Sequence, residues 1–120
     1  MKQVEFNKRF AERLIRFTVE VMKFTDKYQK KRTLQPVFKQ LIRSASSIGA
    51  NVTDAHGAHS KKDFANYFQI ALKSAKETKY WFVVIKHYDK KMKNEVDKLL
   101  AELNEFIKII MSSLVTLRKT

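Results

Sequence analysis

The chain has 120 residues, 44 % of them hydrophobic and 12 % aromatic, enough for one packed domain over 1–120 and too much for a disordered tail. Two Gly and one Pro are too few to punctuate many strands, and the absence of Cys removes disulfides, thiolate metal sites, Fe–S clusters and cysteine nucleophiles. Twenty-five Lys and Arg against 12 Asp and Glu leave a net +13, a self-repulsion that points to an anionic partner, either a nucleic acid or a membrane surface.

Helix one is expected over residues 4–31. Phe6, Phe10, Leu14, Phe17, Val21, Phe24 and Tyr28 recur at alternating four- and three-residue steps, which places them on one stripe. Thr33 is the expected N-cap of helix two, with Pro36 tolerated in the first turn because its amide has no intrahelical acceptor there.

Helix two, residues 35–55, turns Val37, Leu41, Ala45, Ile48, Val52 and Ala55 inward. Its middle, Arg43-Ser44-Ala45-Ser46-Ser47-Ile48-Gly49-Ala50-Asn51, is rich in poor helix formers, each Ser or Gly costing several tenths to about 1 kcal/mol relative to Ala. Small side chains at that density admit a neighbouring backbone or cradle a ligand, although a phosphate loop carries its glycines before a helix rather than inside one. Gly57 is expected to end the helix, as a left-handed C-cap or in the loop beyond.

Ser60 with Asp63 three residues on approximates a capping box, and helix three follows over 61–88 with Phe64, Phe68, Ala71, Ala75, Thr78, Phe82 and Ile85 inward. Asn94 reads as the cap of helix four, with Glu95 and Asp97 in the first turn where the dipole favours them. Val96, Leu100, Leu103, Ile107, Ile110, Leu114 and Leu117 form its stripe, and Arg118-Lys119 suit its carboxyl end. Four long helices with short connections predict an all-α, antiparallel up-down-up-down four-helix bundle. Ile15, Val19 and Met22 on helix one, and Leu99, Phe106, Ile109 and Met111 on helix four, widen the apolar faces; they serve another subunit or a generous core.

No window approaches about 18 uninterrupted apolar residues, and the opening residues, with Glu5, Asn7, Lys8 and Arg9, lack the apolar run of a secretion signal. A cytoplasmic protein is expected. His56 and His59 flank Gly57 near Asp54 and Asp63, but the helix break denies them ligand spacing and no Glu-x-x-His pair occurs, so neither metal nor cofactor is expected. His87 lies among lysines, no Arg–His pair has the spacing of a helical ribonuclease, and no Ser–His–acid set is legible; no catalytic residue is expected.

Arg43, Asn51 and Asp54 on helix two and Glu77 on helix three lie in apolar or small-residue surroundings. They read as a polar network fixing helix register or subunit contacts, or as a recognition pocket. The cations are patterned: Arg9, Arg13, Arg16, Lys23, Lys27 and Lys30 follow helix one, interrupted by Glu20, and Lys76, Lys79, Lys86 and Lys90 follow helix three, continued by Lys91 and Lys93. Arg9, Arg13, Arg16, Lys23, Lys27, Lys76, Lys79, Lys86 and Lys90 are the candidate nucleic-acid contacts; the competing reading is a solvated face. Tyr80 and Trp81 stack on bases or join the core. A membrane partner fits less well, because the stripes ride on core-packed helices rather than on a free amphipathic segment.

Gln40-Leu41-Ile42-Arg43-Ser44-Ala45-Ser46-Ser47-Ile48-Gly49-Ala50-Asn51, Ser60-Lys61-Lys62-Asp63-Phe64, and Ala71, Ser74 and Glu77-Thr78-Lys79-Tyr80-Trp81 together resemble the bacterial four helix bundle protein family, also called 23S rRNA intervening-sequence or S23-like proteins. The resemblance covers nearly the whole chain; Asp54 stands where the family usually has Glu, and Phe82 where Leu is common. It implies a homopentameric barrel of bundles around a central channel, without known catalysis. It also implies kinship with the accessory variability determinant of diversity-generating retroelements, a basic pentamer that binds nucleic acid and its reverse transcriptase during template-primed synthesis of complementary DNA. Lys79 matches a basic position of that protein, whereas Val83 replaces another.

The leading expectation is thus a non-enzymatic, oligomeric accessory protein that binds nucleic acid, structured RNA above all, beside a reverse transcriptase. The alternatives are a protein-interaction scaffold with no direct nucleic-acid role, and a hydrolase or ribonuclease dependent on His56 or His59.

Overall fold

Phe10, Leu14, Phe17, Val21 and Phe24 are buried along the first helix, as their four-three spacing requires. The computed structural model describes residues 2–119, in which four helices follow one another: α1 (Lys2–Lys27), α2 (Gln35–His56), α3 (Lys61–Tyr88) and α4 (Lys93–Lys119). Short 3-10 turns, Arg32–Leu34 and Lys90–Met92, lead into α2 and α4, and the described residues contain no strand. The helices pack as a four-helix bundle measuring 47 × 22 × 19 Å around a single core.

Rings fill much of that core. Phe106 meets Phe17 edge-on at 5.2 Å and Phe10 at 5.8 Å, while Phe24 lies 6.0 Å from Phe38 and 6.1 Å from Phe82. Each such side chain contributes roughly 1.5–3 kcal/mol through its removal from water. The rings keep α1 and α4 apart, whereas α2 and α3 form the closest pairing of backbones. Ser44, Ala45, Ala71, Ser74, Ala75 and Thr78, all buried, allow that approach.

Several local expectations need correction. Helix α1 stops at Lys27, so Tyr28 lies beyond it, and Phe6 remains 47 % exposed near its amino end. Thr33 does not cap α2: Leu34 holds that position without a side-chain bond, and the preceding 3-10 turn supplies the entry. Phe38, one residue past Val37, is the buried member of the first α2 turn. Gly57 does sit at the C-cap, but with φ −96°, so no left-handed residue is required. Asn94 lies inside α4; the cap of this region is Asp89, which accepts from the Lys91 amide at 3.0 Å and starts the 3-10 turn that buries Met92. Phe106 belongs to the core, and Leu99 and Ile109 pack half-buried against it, leaving Met111 exposed. The Ser60 cap forms as expected, accepting from the Asp63 amide at 3.1 Å.

Candidate nucleic-acid interface

The bundle places the two cationic rows on different sides. Each of α1 and α3 packs against α2 and α4, so the two are diagonal partners and their outer faces point away from each other. A ligand lying along one row therefore does not reach the other within one chain.

The α1 row is also diluted. Glu5, Arg9, Glu12, Arg16, Glu20 and Lys23 follow one another at three- and four-residue steps, all exposed, which makes an alternating strip typical of a solvated helix face. Arg13 is diverted inward: its Nε and Nη2 donate to Glu102 Oε1 at 3.0 and 2.9 Å, and its guanidinium lies 5.2 Å from the centre of the Phe106 ring. Lys23 stands 4.0 Å from Glu20. Lys27 donates to Glu95 at 2.9 Å, and the Tyr28 hydroxyl donates to the same carboxylate oxygen. Those bonds hold the Glu95 carboxyl below its usual range, Tyr28 contributing most, and raise the pKa of Lys27 and of the Tyr28 phenol.

On the α3 side the division is similar. Lys86 donates to Asp97 Oδ1 at 2.9 Å and Lys93 to Asp97 Oδ2 at 2.6 Å, which depresses the Asp97 pKa. Lys31 clamps Asp89 at 2.7 Å across the end of the bundle, lowering its pKa. Lys73, Lys76, Lys79 and Lys90 are exposed and form no ion pair, as is also true of Arg9 and Arg16 on α1. Lys73, Lys76 and Tyr80 share one helical face by their spacing, with Lys79 at its edge. Tyr80 is 60 % exposed, propped edge-on by Trp81 at 5.1 Å. Trp81 itself packs half-buried against the core, its Nε1 donating to Glu77 Oε2 at 3.3 Å. Of the two candidate stacking rings, Tyr80 is the one presented to solvent.

The expected polar network does not assemble within one chain. Arg43, Asp54 and Glu77 are all exposed, and neither Arg43 nor Asp54 pairs with a carboxylate or cation. Asn51 alone joins a network, donating from Nδ2 to the Ser47 carbonyl at 2.8 Å and to Ser47 Oγ at 3.0 Å. The members at the α2–α3 seam are hydroxyls instead: Ser47 Oγ and Ser74 Oγ are 2.8 Å apart, as are Ser44 Oγ and Thr78 Oγ1. The signal was present in the sequence as Ser44/Ser47 and Ser74/Thr78 at helical spacing on two facing helices, obscured by the greater chemical prominence of the charged residues.

His56 stands edge-on to Phe64 at 5.7 Å and Phe68 at 6.4 Å, and this partial loss of water lowers its pKa. Among the described residues no three His, Asp or Glu side chains gather closely enough to hold a metal ion. No helix is long and apolar enough to cross a membrane. A shallow groove of about 350 Å³ runs between α1 and α2, walled by Ile15 and Val19 over Ser46, Gly49 and Ala50. Ile15, Val19 and Met22 are 64, 40 and 49 % exposed.

The family described as 23S rRNA-intervening sequence protein matches residues 7–112. Among solved structures, a protein of unknown function from the S23 ribosomal protein family of Bacteroides thetaiotaomicron is similar, with 28 % identity and a TM-score of 0.82 over 88 % of this chain and 97 % of that one. No curated protein matches.

Proposed function

From the premise that the chain belongs to the 23S rRNA-intervening sequence protein family, we propose that it is a non-enzymatic, self-assembling accessory protein that binds structured RNA through the outer face of α3. The observation that carries this reading is the cluster of Lys73, Lys76 and Lys79, none held in an ion pair, around the exposed ring of Tyr80. Unpaired cations release counterions from phosphates without first breaking an internal bridge, and an exposed ring offers a stacking platform to an unpaired loop base. Arg9 and Arg16 are secondary contacts on the opposite face; Arg13, Lys23, Lys27 and Lys86 serve the fold. Lys90 extends the α3 row at the far end.

The proposal includes the up-down-up-down order of helices. Its support is the pairing of Arg13 with Glu102 and Lys27 with Glu95, and of Ser44 with Thr78 and Ser47 with Ser74, in which one number rises as the other falls. It includes a homopentameric ring, supported by the exposed apolar side chains beside the α1–α2 groove and by the family resemblance. It extends to a reverse-transcriptase partner through the likeness of Lys79-Tyr80-Trp81 to the retroelement accessory protein. Sedimentation equilibrium tests the assembly, and fluorescence anisotropy with a structured RNA, with duplex DNA as the comparison, tests the ligand. Joint replacement of Lys76→Glu and Lys79→Glu is expected to abolish RNA binding without altering assembly.

A second reading, a scaffold that meets an acidic protein surface, draws on the same exposed Ile15, Val19 and Met22 beside unpaired cations. It predicts RNA affinity no greater than that of an equally charged unrelated protein.

A further inference from the structure

A second cleft, of about 680 Å³, opens where the amino end of α1, the start of α3 and the carboxyl end of α4 meet. Its size falls within the roughly 300–1,000 Å³ common for small-ligand sites. The walls are aromatic: Phe64 and Phe68 stack at 4.6 Å with planes 22° apart, and Phe6 and Phe10 lie 6.4 Å from each other. Phe6 is nearly half exposed although it belongs to the apolar stripe of α1, because α4 does not close over it. The polar groups that join the rings are uncharged or cationic, and no carboxylate lines the cleft. Lys108 at its edge has no ion-pair partner, and Asn7 and Ser112 lie near it in the lining.

We propose that this cleft binds a small amphipathic anion, a carboxylate on an acyl chain, with the chain laid between the phenylalanine pairs and the head group on Lys108. The argument is charge complementarity joined to shape. A cation is opposed by Lys108 and by the +13 of the whole chain. A neutral apolar molecule leaves the ammonium unused, whereas a carboxylate gains a charge-assisted bond beside a water-poor wall. The site is separate from the face of Lys76 and Tyr80, so its occupancy does not depend on the RNA reading.

The test is isothermal titration of the full-length protein with decanoate, decanol and decyltrimethylammonium. Decanoate is expected to saturate at one molecule per chain, about tenfold more tightly than decanol, the increment of one such bond, with the quaternary ammonium failing to bind. Phe6→Ser, at an exposed position, is expected to abolish decanoate binding, and Lys108→Glu to remove the preference for decanoate over decanol while leaving decanol binding intact. Decanoate binding with many molecules per chain, or unchanged in Phe6→Ser, would overturn the proposal. So would disassembly of an oligomer by Phe6→Ser in protein that never bound decanoate, because the cleft would then belong to a second copy of the chain.

Discussion

Thr78 Oγ1 lies 2.8 Å from Ser44 Oγ across the α2–α3 seam, and 2.7 Å from the carbonyl oxygen of Ser74 on its own helix. Both hydroxyls are buried, Thr78 completely. Together with the Ser47–Ser74 contact one turn away, they fix the register of the two most closely packed helices, and no buried side-chain polar atom among the described residues lacks a partner. A shift of either helix would strand hydroxyls in a dry seam, at about 1–3 kcal/mol each.

Thr78→Val is therefore expected to destabilise the chain by about 1–2 kcal/mol despite its conserved shape, because Ser44 loses its partner across the seam. The further step to Ser44→Ala/Thr78→Val should cost less than the sum of the single changes. Urea unfolding of the four members of this double-mutant cycle checks it, and strict additivity would deny the coupling.

Phe106→Ala is expected to cost about 3–5 kcal/mol, since it leaves Phe10 and Phe17 facing a void and takes the ring from beneath Arg13. Phe6→Ala, at a half-exposed ring, should cost well under that. Thermal melts of both variants distinguish a core aromatic from one that merely continues its pattern.

Gly49→Ala is expected to stabilise by roughly 0.5–1 kcal/mol, the helix-propensity difference. An added Cβ would stand 3.5 Å from Leu14 Cβ, an ordinary contact, so α1 need not move. A loss of stability, read from denaturant midpoints, would mean that the α1–α2 approach is tighter than this spacing.

The lowered pKa of His56 gives stability a defined pH dependence. Between the folded value and the ordinary value of about 6.5, the unfolded chain binds more protons, so stability rises with pH. This contribution is complete above that window and is lost as pH falls through it. Glu95, Asp89 and Asp97, with depressed values, act in the same direction but only below the ordinary carboxylate range. Unfolding midpoints measured from pH 7.5 to 5 should fall less in His56→Gln than in the unaltered chain.

Much of the fold was legible because the helices are long and their apolar residues keep strict four-three steps, and such a stripe has only one way to face a core. The capping of α3 by Ser60 was legible for a similar reason, being local. What escaped was set by neighbours in space. Phe106 looked peripheral on its own helix until Phe10 and Phe17 of α1 placed it at the centre. Thr33 had the right chemistry for a cap, but the 3-10 turn ending at Leu34 took over the entry to α2. The cationic rows were visible as rows, yet nothing in the chain order announces that Glu102 meets Arg13 or that Glu95 meets Lys27. Glu5 and Glu12, by contrast, stood at readable spacing between Arg9 and Arg16, and marked the α1 row as a mixed strip.

The division between paired and unpaired cations is the central claim, and salt-dependent RNA binding by charge-reversed variants tests it most directly. Anisotropy titrations across a salt series should give a steep negative slope of log affinity against log salt. Lys76→Glu and Lys79→Glu should each weaken binding and reduce that slope by about one. Lys27→Glu and Lys86→Glu, which break bridges to Glu95 and Asp97, should lower stability while changing the slope little. Equal loss of slope at all four positions, or a flat salt response in the unaltered protein, would contradict the assignment of the outer face of α3 to RNA.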